Sequence, residues 1–263
     1  MTRSKRRTGR RHPLATAALL ALGLVFTGGA YAAFSTTTAQ AEPSPSSQET
    51  IEEGKKLFQA NCATCHGLDA QGTDEGPSLI GVGAASVDFQ VGTGRMPMQM
   101  QGPQAPVKPP QFTDEQVKQL AYYVGSLGPG PDIPADSLVN GGGDAANGAE
   151  LFRVNCAMCH NVAGAGGALT EGKYAPPLTD VSGVHIYEAM VTGPQNMPVF
   201  NDLNITPEDK RDIITYLQYV QDNRSPGGFE LGSLGPVAEG LFIWIFGLGA
   251  IVAITVWITA KSN

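Results

Sequence analysis

The chain has 263 residues, of which only 16% are charged and 7% aromatic, while Gly (33) and Pro (19) are abundant; this composition excludes a coiled coil or an acidic disordered tail. The few aromatic residues indicate small cores, or cores filled by something other than Phe, Tyr and Trp. Residues 1–13 carry six Lys and Arg and no acid, whereas all 24 Asp and Glu lie between Glu42 and Glu239, so the acidic body lacks the basic face of a nucleic-acid binder.

A basic head and an apolar run open the chain. Residues 14–34 carry no charge, and this length is close to the roughly 18–20 residues that span a bilayer. The most apolar part, residues 14–26, has the length of a signal peptide, and Ala39-Gln40-Ala41 offers an A-x-A cleavage site. Residues 1–41 are therefore predicted to be a signal peptide or a transmembrane anchor helix, and the rest of the chain is expected outside the cytoplasm.

One unit occurs twice in the middle of the chain, at an offset of 94 residues. The segment Asn61–His66 (NCATCH) aligns with Asn155–His160 (NCAMCH). The match extends upstream, where Gly54, Leu57 and Phe58 align with Gly148, Leu151 and Phe152. The spacing of apolar residues before each cysteine pair predicts a short helix.

Both copies end in C-x-x-C-H, the attachment pattern of c-type haem. Two cysteines three residues apart on one helical turn can each form a thioether bond to one porphyrin, and the adjacent His then points at the iron. A zinc site of the four cysteines would leave both histidines unexplained, and a redox disulfide pair usually sits in a βαβ pattern that is absent here. We predict two covalently bound c-type haems, attached through Cys62, Cys65, Cys156 and Cys159, with His66 and His160 as iron ligands.

The second iron ligand of each unit is expected to be a Met in the loop before the closing helix. Met197 lies in GPQNMP and Met96 lies in GTGRMP, and both precede Pro. A thioether ligand favours reduced iron and raises the potential. Met98 and Met100 lie close to Met96 and are alternative ligands in the first unit.

Three further residues of ligating type are interpreted as structural. His185 lies in a helix-like run twelve residues before Met197 and is predicted to be a structural or surface residue. Met158 and Met190 are predicted to fill gaps in the cores.

The closing helix of each unit begins with Thr as N-cap and acids in the first turn. These starts are Thr113-Asp-Glu and Thr206-Pro-Glu, and apolar residues follow both at helical spacing. The predicted organisation is a tether at 42–48, a first domain at 49–128, a linker at 129–143, a second domain at 144–224 and a linker at 225–240.

A second apolar segment closes the chain. Residues 241–260 are uncharged and, as a helix, about 30 Å long, which matches the hydrocarbon core of a bilayer. Trp244 and Trp257 lie near its two ends, where aromatic rings favour the membrane interface, and Lys261 follows. This pattern predicts a transmembrane helix with a cytoplasmic C-terminus.

The two units resemble class I cytochrome c, and the whole chain resembles the dihaem cytochrome c subunit of the actinobacterial cytochrome bc1 complex. The stretches that carry this resemblance are Ser78–Gly81, Gly94–Pro97, Gly172–Pro176 and Gly193–Pro198. The family fold implies a mainly α protein of two tandem cytochrome c domains. In that family a Pro carbonyl orients the haem-ligating His, a role that falls to Pro77 for His66 and to Pro176 for His160, where Ala175 replaces the usual Gly.

The resemblance also implies a place in respiration. Electrons would come from the Rieske iron–sulfur protein after menaquinol oxidation at cytochrome b, and would leave towards an aa3-type oxidase. The subunit would lie in the plasma membrane with its haem domains on the outer side, and would itself perform no bond chemistry. The alternatives are a dihaem electron carrier of another respiratory complex, such as a cbb3-type oxidase, and a dihaem peroxidase.

Overall fold

The computed structural model describes residues 13–37, 47–100, 102–223, 231 and 236–261, and it is mainly helical. Two compact units divide the chain, residues 1–44 and 45–263. The described part of the first unit is helix α1 (Pro13–Thr37), in which the stretch Ala17–Ala30 is apolar and exposed. The predicted cleavage site at 39–41 and most of the predicted linker at 225–240 lie outside the described residues.

Two helical domains follow, and the second repeats the first. The first contains α2 (Gln48–Asn61), α3 (Ala63–His66), α4 (Ala84–Gly92) and α5 (Asp114–Gly125). The second contains α6 (Asp136–Val139), α7 (Ala145–Asn155), α8 (Ala157–His160), α9 (Gly183–Thr192) and α10 (Pro207–Asp222). In each domain the helix before the cysteine motif packs across the closing helix, α2 on α5 and α7 on α10.

Two glycines that match in the repeat lie where these helices cross. A Cβ at Gly54 would collide with the backbone carbonyl oxygen of Gln119 on α5, and a Cβ at Gly148 would collide with that of Asp212 on α10. Only Gly lets the helix backbones approach so closely, so the crossing explains why both units carry Gly at this position.

An aromatic pair lies at the centre of each crossing. Phe58 contacts Tyr123 with ring centroids 5.3 Å apart, and Phe152 contacts Tyr216 at 5.5 Å. Both Phe side chains are fully buried. Aliphatic residues of the closing helices complete the two cores: Val117, Leu120 and Val124 in the first, and Ile213, Ile214 and Leu217 in the second.

The closing helices begin where the sequence predicts. Thr113 and Thr206 are the N-caps of α5 and α10, and each side chain accepts a hydrogen bond from the backbone N–H three residues on. The residues at that third position, Gln116 and Asp209, accept a hydrogen bond from the backbone N–H of the cap, which completes a capping box.

The segment between the domains packs against both of them. At its start, the Pro131 carbonyl oxygen accepts a hydrogen bond from the Ala85 N–H of α4 (3.1 Å). Towards its end the short helix α6 buries Val139 in the second core. A run rich in Gly and Pro is thus fixed on both sides by contacts that its composition does not indicate.

The second domain carries a longer loop after its motif. Where the first domain has a single bridge between Thr73 and Gly76, the second has a hairpin of β1 (Gly167–Ala168) and β2 (Tyr174–Ala175) with a 3-10 turn between them. The five extra residues place Tyr174 against the first domain. The Gln104 side-chain amide donates to the Tyr174 carbonyl (2.9 Å) and accepts from its N–H (2.8 Å).

The chain ends in a continuous apolar helix. Its parts are α11 (Pro236–Phe242), a π-helical stretch (Ile243–Leu248) and α12 (Gly249–Lys261). Within the described ranges, Val237–Lys261 is the one helix long and apolar enough to cross a membrane, and none of its most apolar stretch is buried by the chain. The predicted C-terminal membrane helix is confirmed in length and composition.

Candidate haem-binding sites

Each cysteine motif forms one helical turn behind a kink. Helix α2 ends at Cys62, whose N–H donates to the carbonyl of the buried Phe58 (2.7 Å), and the turn α3 closes with the His66 N–H donating to the Cys62 carbonyl (3.0 Å). Cys156 and His160 repeat both bonds at 2.8 and 2.9 Å, Cys156 bonding to the Phe152 carbonyl. The two cysteines of each motif are therefore neighbours on a turn anchored to its core.

The ring of each motif His is held by a proline carbonyl. His66 Nδ1 lies 2.8 Å from the Pro77 carbonyl oxygen, and His160 Nδ1 lies 3.0 Å from that of Pro176. With the Nδ1 proton donated to the carbonyl, the Nε2 lone pair remains for a metal ion. The replacement of Gly76 by Ala175 before the second proline leaves this contact intact.

The second motif His is the more buried of the two. His160 is 8% exposed, and burial lowers its pKa from the ordinary value, while the hydrogen bond to the Pro176 carbonyl acts in the opposite direction. The neutral imidazole is thus favoured near neutral pH, and it is the form that ligates a metal ion.

The cysteine thiols are not paired in disulfides. Burial raises the pKa of Cys62 and of Cys156 to about 11, with a smaller contribution from the second cysteine of each motif. Both thiols are therefore protonated at neutral pH. In the described part of the chain, the four cysteines do not form a cluster of metal-ligating atoms, which argues against a shared zinc site.

The loops that bear the candidate Met ligands pack against the hydrophobic cores of the two domains. Met96 is half-buried against the first core and Met197 against the second. Met98 is half-buried without packing on the described core of the first domain, and Met100 is 79% exposed. Of these three residues, Met96 is the one that packs on the first core, and its role as the iron ligand stays a prediction.

The other three candidates differ in outcome. Met190 is 2% exposed and lies in the second core, as predicted. Met158 is 92% exposed, so the prediction that it fills the core is wrong: it precedes Cys159 on the turn α8 and points away from the protein. His185 is half-buried at the contact between the domains, where its ring meets the edge of Phe89.

A buried lysine positions the Met197 loop, and no sequence pattern indicates it. Lys210 is fully buried, and its ammonium donates to the Asp202 carboxylate (2.6 Å) and to the Ile205 carbonyl (2.7 Å). These bonds fasten the end of the loop to the first turn of α10. A Lys in an acidic first helical turn resembles a solvated surface residue, and only the packing shows otherwise.

Comparisons with known proteins cover the whole chain. The family model "Cytochrome c" matches residues 51–128, and the model "Cytochrome C oxidase, cbb3-type, subunit III" matches residues 143–217. The chain is 44% identical over 267 residues to the cytochrome bc1 complex cytochrome c subunit of Mycobacterium tuberculosis, covering 99% of this chain and 95% of the relative. It is 42% identical over 281 residues to the subunit of the same name in Corynebacterium diphtheriae, covering all of both chains.

A third relative matches only part of the chain. It is a cbb3-type cytochrome c oxidase subunit of Rhizobium meliloti, 40% identical over 93 residues, which cover 33% of this chain and 30% of that protein. The likeness to this oxidase subunit is therefore confined to a region the size of one domain.

Proposed function

Because the chain belongs to the family of cytochrome bc1 complex cytochrome c subunits, we propose that it carries two c-type haems on the outer face of the plasma membrane and passes electrons from the Rieske iron–sulfur protein towards an aa3-type oxidase. The observation that carries this proposal is the duplication of one arrangement along a chain matched over its full length. In each copy a C-x-x-C-H turn, a carbonyl-held His and a core-packed Met-Pro segment occur together.

The residues of each domain fit a covalently held haem. The thiols of Cys62 and Cys65 would attach it in the first domain and those of Cys156 and Cys159 in the second. Iron would be ligated by His66 and Met96 in the first domain and by His160 and Met197 in the second. A haem bound in this way supplies a one-electron ferric/ferrous couple.

The protein itself would orient the ligating histidines and exclude substrates from the iron. The Pro77 and Pro176 carbonyls keep the two motif histidines in one tautomer, and Met96 and Met197 would each supply a second protein ligand to iron. With two protein ligands on each iron, no position would be left for a substrate, so the subunit would transfer electrons without bond chemistry of its own. Cytochrome b and the Rieske protein are the partners that this role requires.

The two alternatives fit the structure less well. A dihaem peroxidase needs one iron without its second ligand, yet the Met96 and Met197 segments both pack on their cores. A carrier for a cbb3-type oxidase is suggested by the family match at residues 143–217, but the oxidase relative matches only 33% of this chain, whereas the bc1 complex subunits match nearly all of it.

Purification of the complex from native membranes tests the proposal. We expect a tagged full-length chain, isolated in mild detergent, to bring down cytochrome b, the Rieske protein and an aa3-type oxidase, and to contain two haems per chain by intact mass. The complex should reduce oxygen with menaquinol as donor. Recovery of the chain with a cbb3-type oxidase and without cytochrome b would overturn the assignment, and the mass of the mature N-terminus would show whether residues 1–41 are cleaved.

A further inference from the structure

Three ionisable side chains meet where the two domains touch. Asp88 lies on α4 of the first domain, and His185 and Glu188 lie one turn apart on α9 of the second. Their ligand atoms, one from each residue, all lie within 4.8 Å of one another. Helix α4 packs on α9 here, and Phe89 contacts the His185 ring edge-on with centroids 6.1 Å apart. The cluster is therefore built from both domains and lies outside the two cysteine motifs.

The Glu188 carboxyl group is fully buried and lacks a donor. Its side chain is 0% exposed, and in the described ranges no N–H or O–H donates to either oxygen. The Asp88 carboxyl group lies beside it, and two carboxyl groups can hydrogen-bond only by sharing a proton. Burial, reinforced by Asp88, raises the pKa of Glu188 to about 10. A buried carboxyl group in a protein stays neutral or, when ionised, is paired or bound to a metal ion, so the cluster of Asp88, His185 and Glu188 is a candidate cation site.

The neighbouring groups leave the cluster open to a cation. Burial lowers the pKa of His185. The Asp88 charge raises this pKa, and the Arg95 charge lowers it further. The neutral imidazole, which is the form that ligates metal ions, is therefore favoured. Arg95 itself lies over the Phe89 ring, 4.6 Å from its centroid. It forms no ion pair with Asp88 or Glu188 within the described part of the chain.

We propose that Asp88, His185 and Glu188 bind a divalent transition-metal ion, best matched by Zn²⁺, which joins the two haem domains. An imidazole nitrogen and carboxylate oxygens at about 2.0–2.2 Å are ordinary zinc ligands, and such atoms lie about 3.3 Å apart around a tetrahedral ion. The three groups lie within 4.8 Å of one another, so binding would draw them closer by up to about 1.5 Å. His185 and Glu188 are also an i, i+3 pair on one helical face, a spacing used by metal sites in helical proteins.

The ion would act between the domains rather than on the electron-transfer path. Ligands from α4 and α9 would be tied to one centre, so the ion would hold the domains together at this contact. Its removal would leave two acidic groups facing each other in a buried place, which favours separation of the helices. This inference concerns residues that the proposed electron transfer does not use, and it stands independently of that function.

Zinc binding to the full-length protein with its haems attached is the first test. After treatment with a chelator and its removal, we expect titration with ZnCl2 in detergent, followed by calorimetry and elemental analysis, to give one tightly bound ion per chain. Glu188→Gln and His185→Ala should each weaken binding at least tenfold, whereas Glu150→Gln, an exposed acid on α7, should not. Unchanged haem absorbance shows that the variants fold.

Amide hydrogen exchange is the second test, because it detects the bridge rather than binding alone. Zinc should slow exchange in α4 and α9 of the native protein and of Glu150→Gln, and should have no such effect in Glu188→Gln. Failure to bind a stoichiometric ion, or equal binding by the native protein, Glu188→Gln and His185→Ala, would overturn the proposal. Neither experiment depends on electron transfer, so their failure would leave the proposed function untouched.

Discussion

The two motif histidines are held in the same way. His66 donates a hydrogen bond to the Pro77 carbonyl, and His160 donates one to the Pro176 carbonyl. Each bond fixes the tautomer and the direction of an imidazole that directly follows the second cysteine of its motif. The distances differ by only 0.2 Å, from 2.8 to 3.0 Å, although five extra residues separate His160 from its proline. At the scale of single residues the two candidate sites therefore hold their His by the same contact, and substitutions should act on one site at a time.

Substitution of one cysteine tests the assignment of the motifs. Cys62→Ser removes one of the two proposed thioether bonds in the first domain, so haem there should be attached through Cys65 alone or be lost, while the second domain keeps both bonds. Intact mass and haem staining after denaturation measure this. Cys156→Ser is the matched control and should affect only the second domain; a Cys62→Ser protein with two doubly attached haems would contradict the motif assignment.

Substitution of the proposed axial Met tests the ligand set. Met197→His should retain haem but lower its potential by about 0.1 V or more, because imidazole stabilises ferric iron relative to thioether and axial ligation spans roughly 0.8 V. Redox titration followed by absorbance gives the value. Glu150→His, at an exposed position on α7 outside the motif, is the control and should change neither potential. An unchanged potential in Met197→His would remove Met197 from the ligand set.

At the scale of elements, each domain depends on one helix crossing, and the second domain adds a hairpin. The crossings of α2 with α5 and of α7 with α10 are so close that Gly54 and Gly148 leave no room for a side chain. The hairpin formed by β1 and β2 keeps the His160 loop geometry and uses its extra length to meet Gln104 of the first domain. The second domain thus keeps the contact between its motif His and a proline carbonyl, and it differs from the first in the loop that contacts the other domain.

A methyl group at the crossing should destabilise one domain selectively. Gly54→Ala places a Cβ against the Gln119 backbone, which cannot move without displacing α5, so we expect a loss of about 1–3 kcal/mol or more in the stability of the first domain. Thermal unfolding followed by circular dichroism, with hydrogen exchange to locate the effect, measures it. Gln59→Ala on the exposed face of α2 is the control, and equal stability of the two variants would show that the crossing tolerates a side chain.

At the scale of the whole molecule, the main feature is an apolar C-terminal helix that the described domains do not bury. The helix Val237–Lys261 is apolar and long enough to cross a membrane, and its most apolar stretch is covered by no other part of the described chain. In sequence it follows two acidic domains. A membrane anchor at this place fits the family of bc1 complex subunits to which the chain belongs.

Removal of the C-terminal helix should release the chain from its complex. A chain that ends at residue 235 should fail to co-purify with cytochrome b in mild detergent, whereas the full-length chain should do so in normal yield. Replacement of residues 241–260 by a polyleucine helix of equal length separates two roles, because it restores membrane attachment without the native contacts. Normal co-purification of the truncated chain would show that the haem domains alone bind the complex.

Much of the fold and of the candidate site follows from local patterns in the sequence. The starts of α5 and α10 are set by Thr113 and Thr206 with their capping partners, and the motif turns are set by residue spacing within a single helical turn. The C-terminal helix follows from hydropathy alone. Such features depend on neighbours a few residues away, which the sequence places together whatever the rest of the chain does.

The features that the sequence left undecided depend on residues far apart in the chain. The packing of Met96 on the first core, the outward position of Met158 and the burial of Lys210 are decided by which surfaces pack, not by the pattern around each residue. The sequence by itself therefore determined the two C-x-x-C-H turns, the helices that flank them and the apolar C-terminal helix. Only the tertiary structure decided how the two domains meet and placed Asp88 beside Glu188. Contacts between residues far apart in the chain leave no local pattern in the sequence from which they could be predicted.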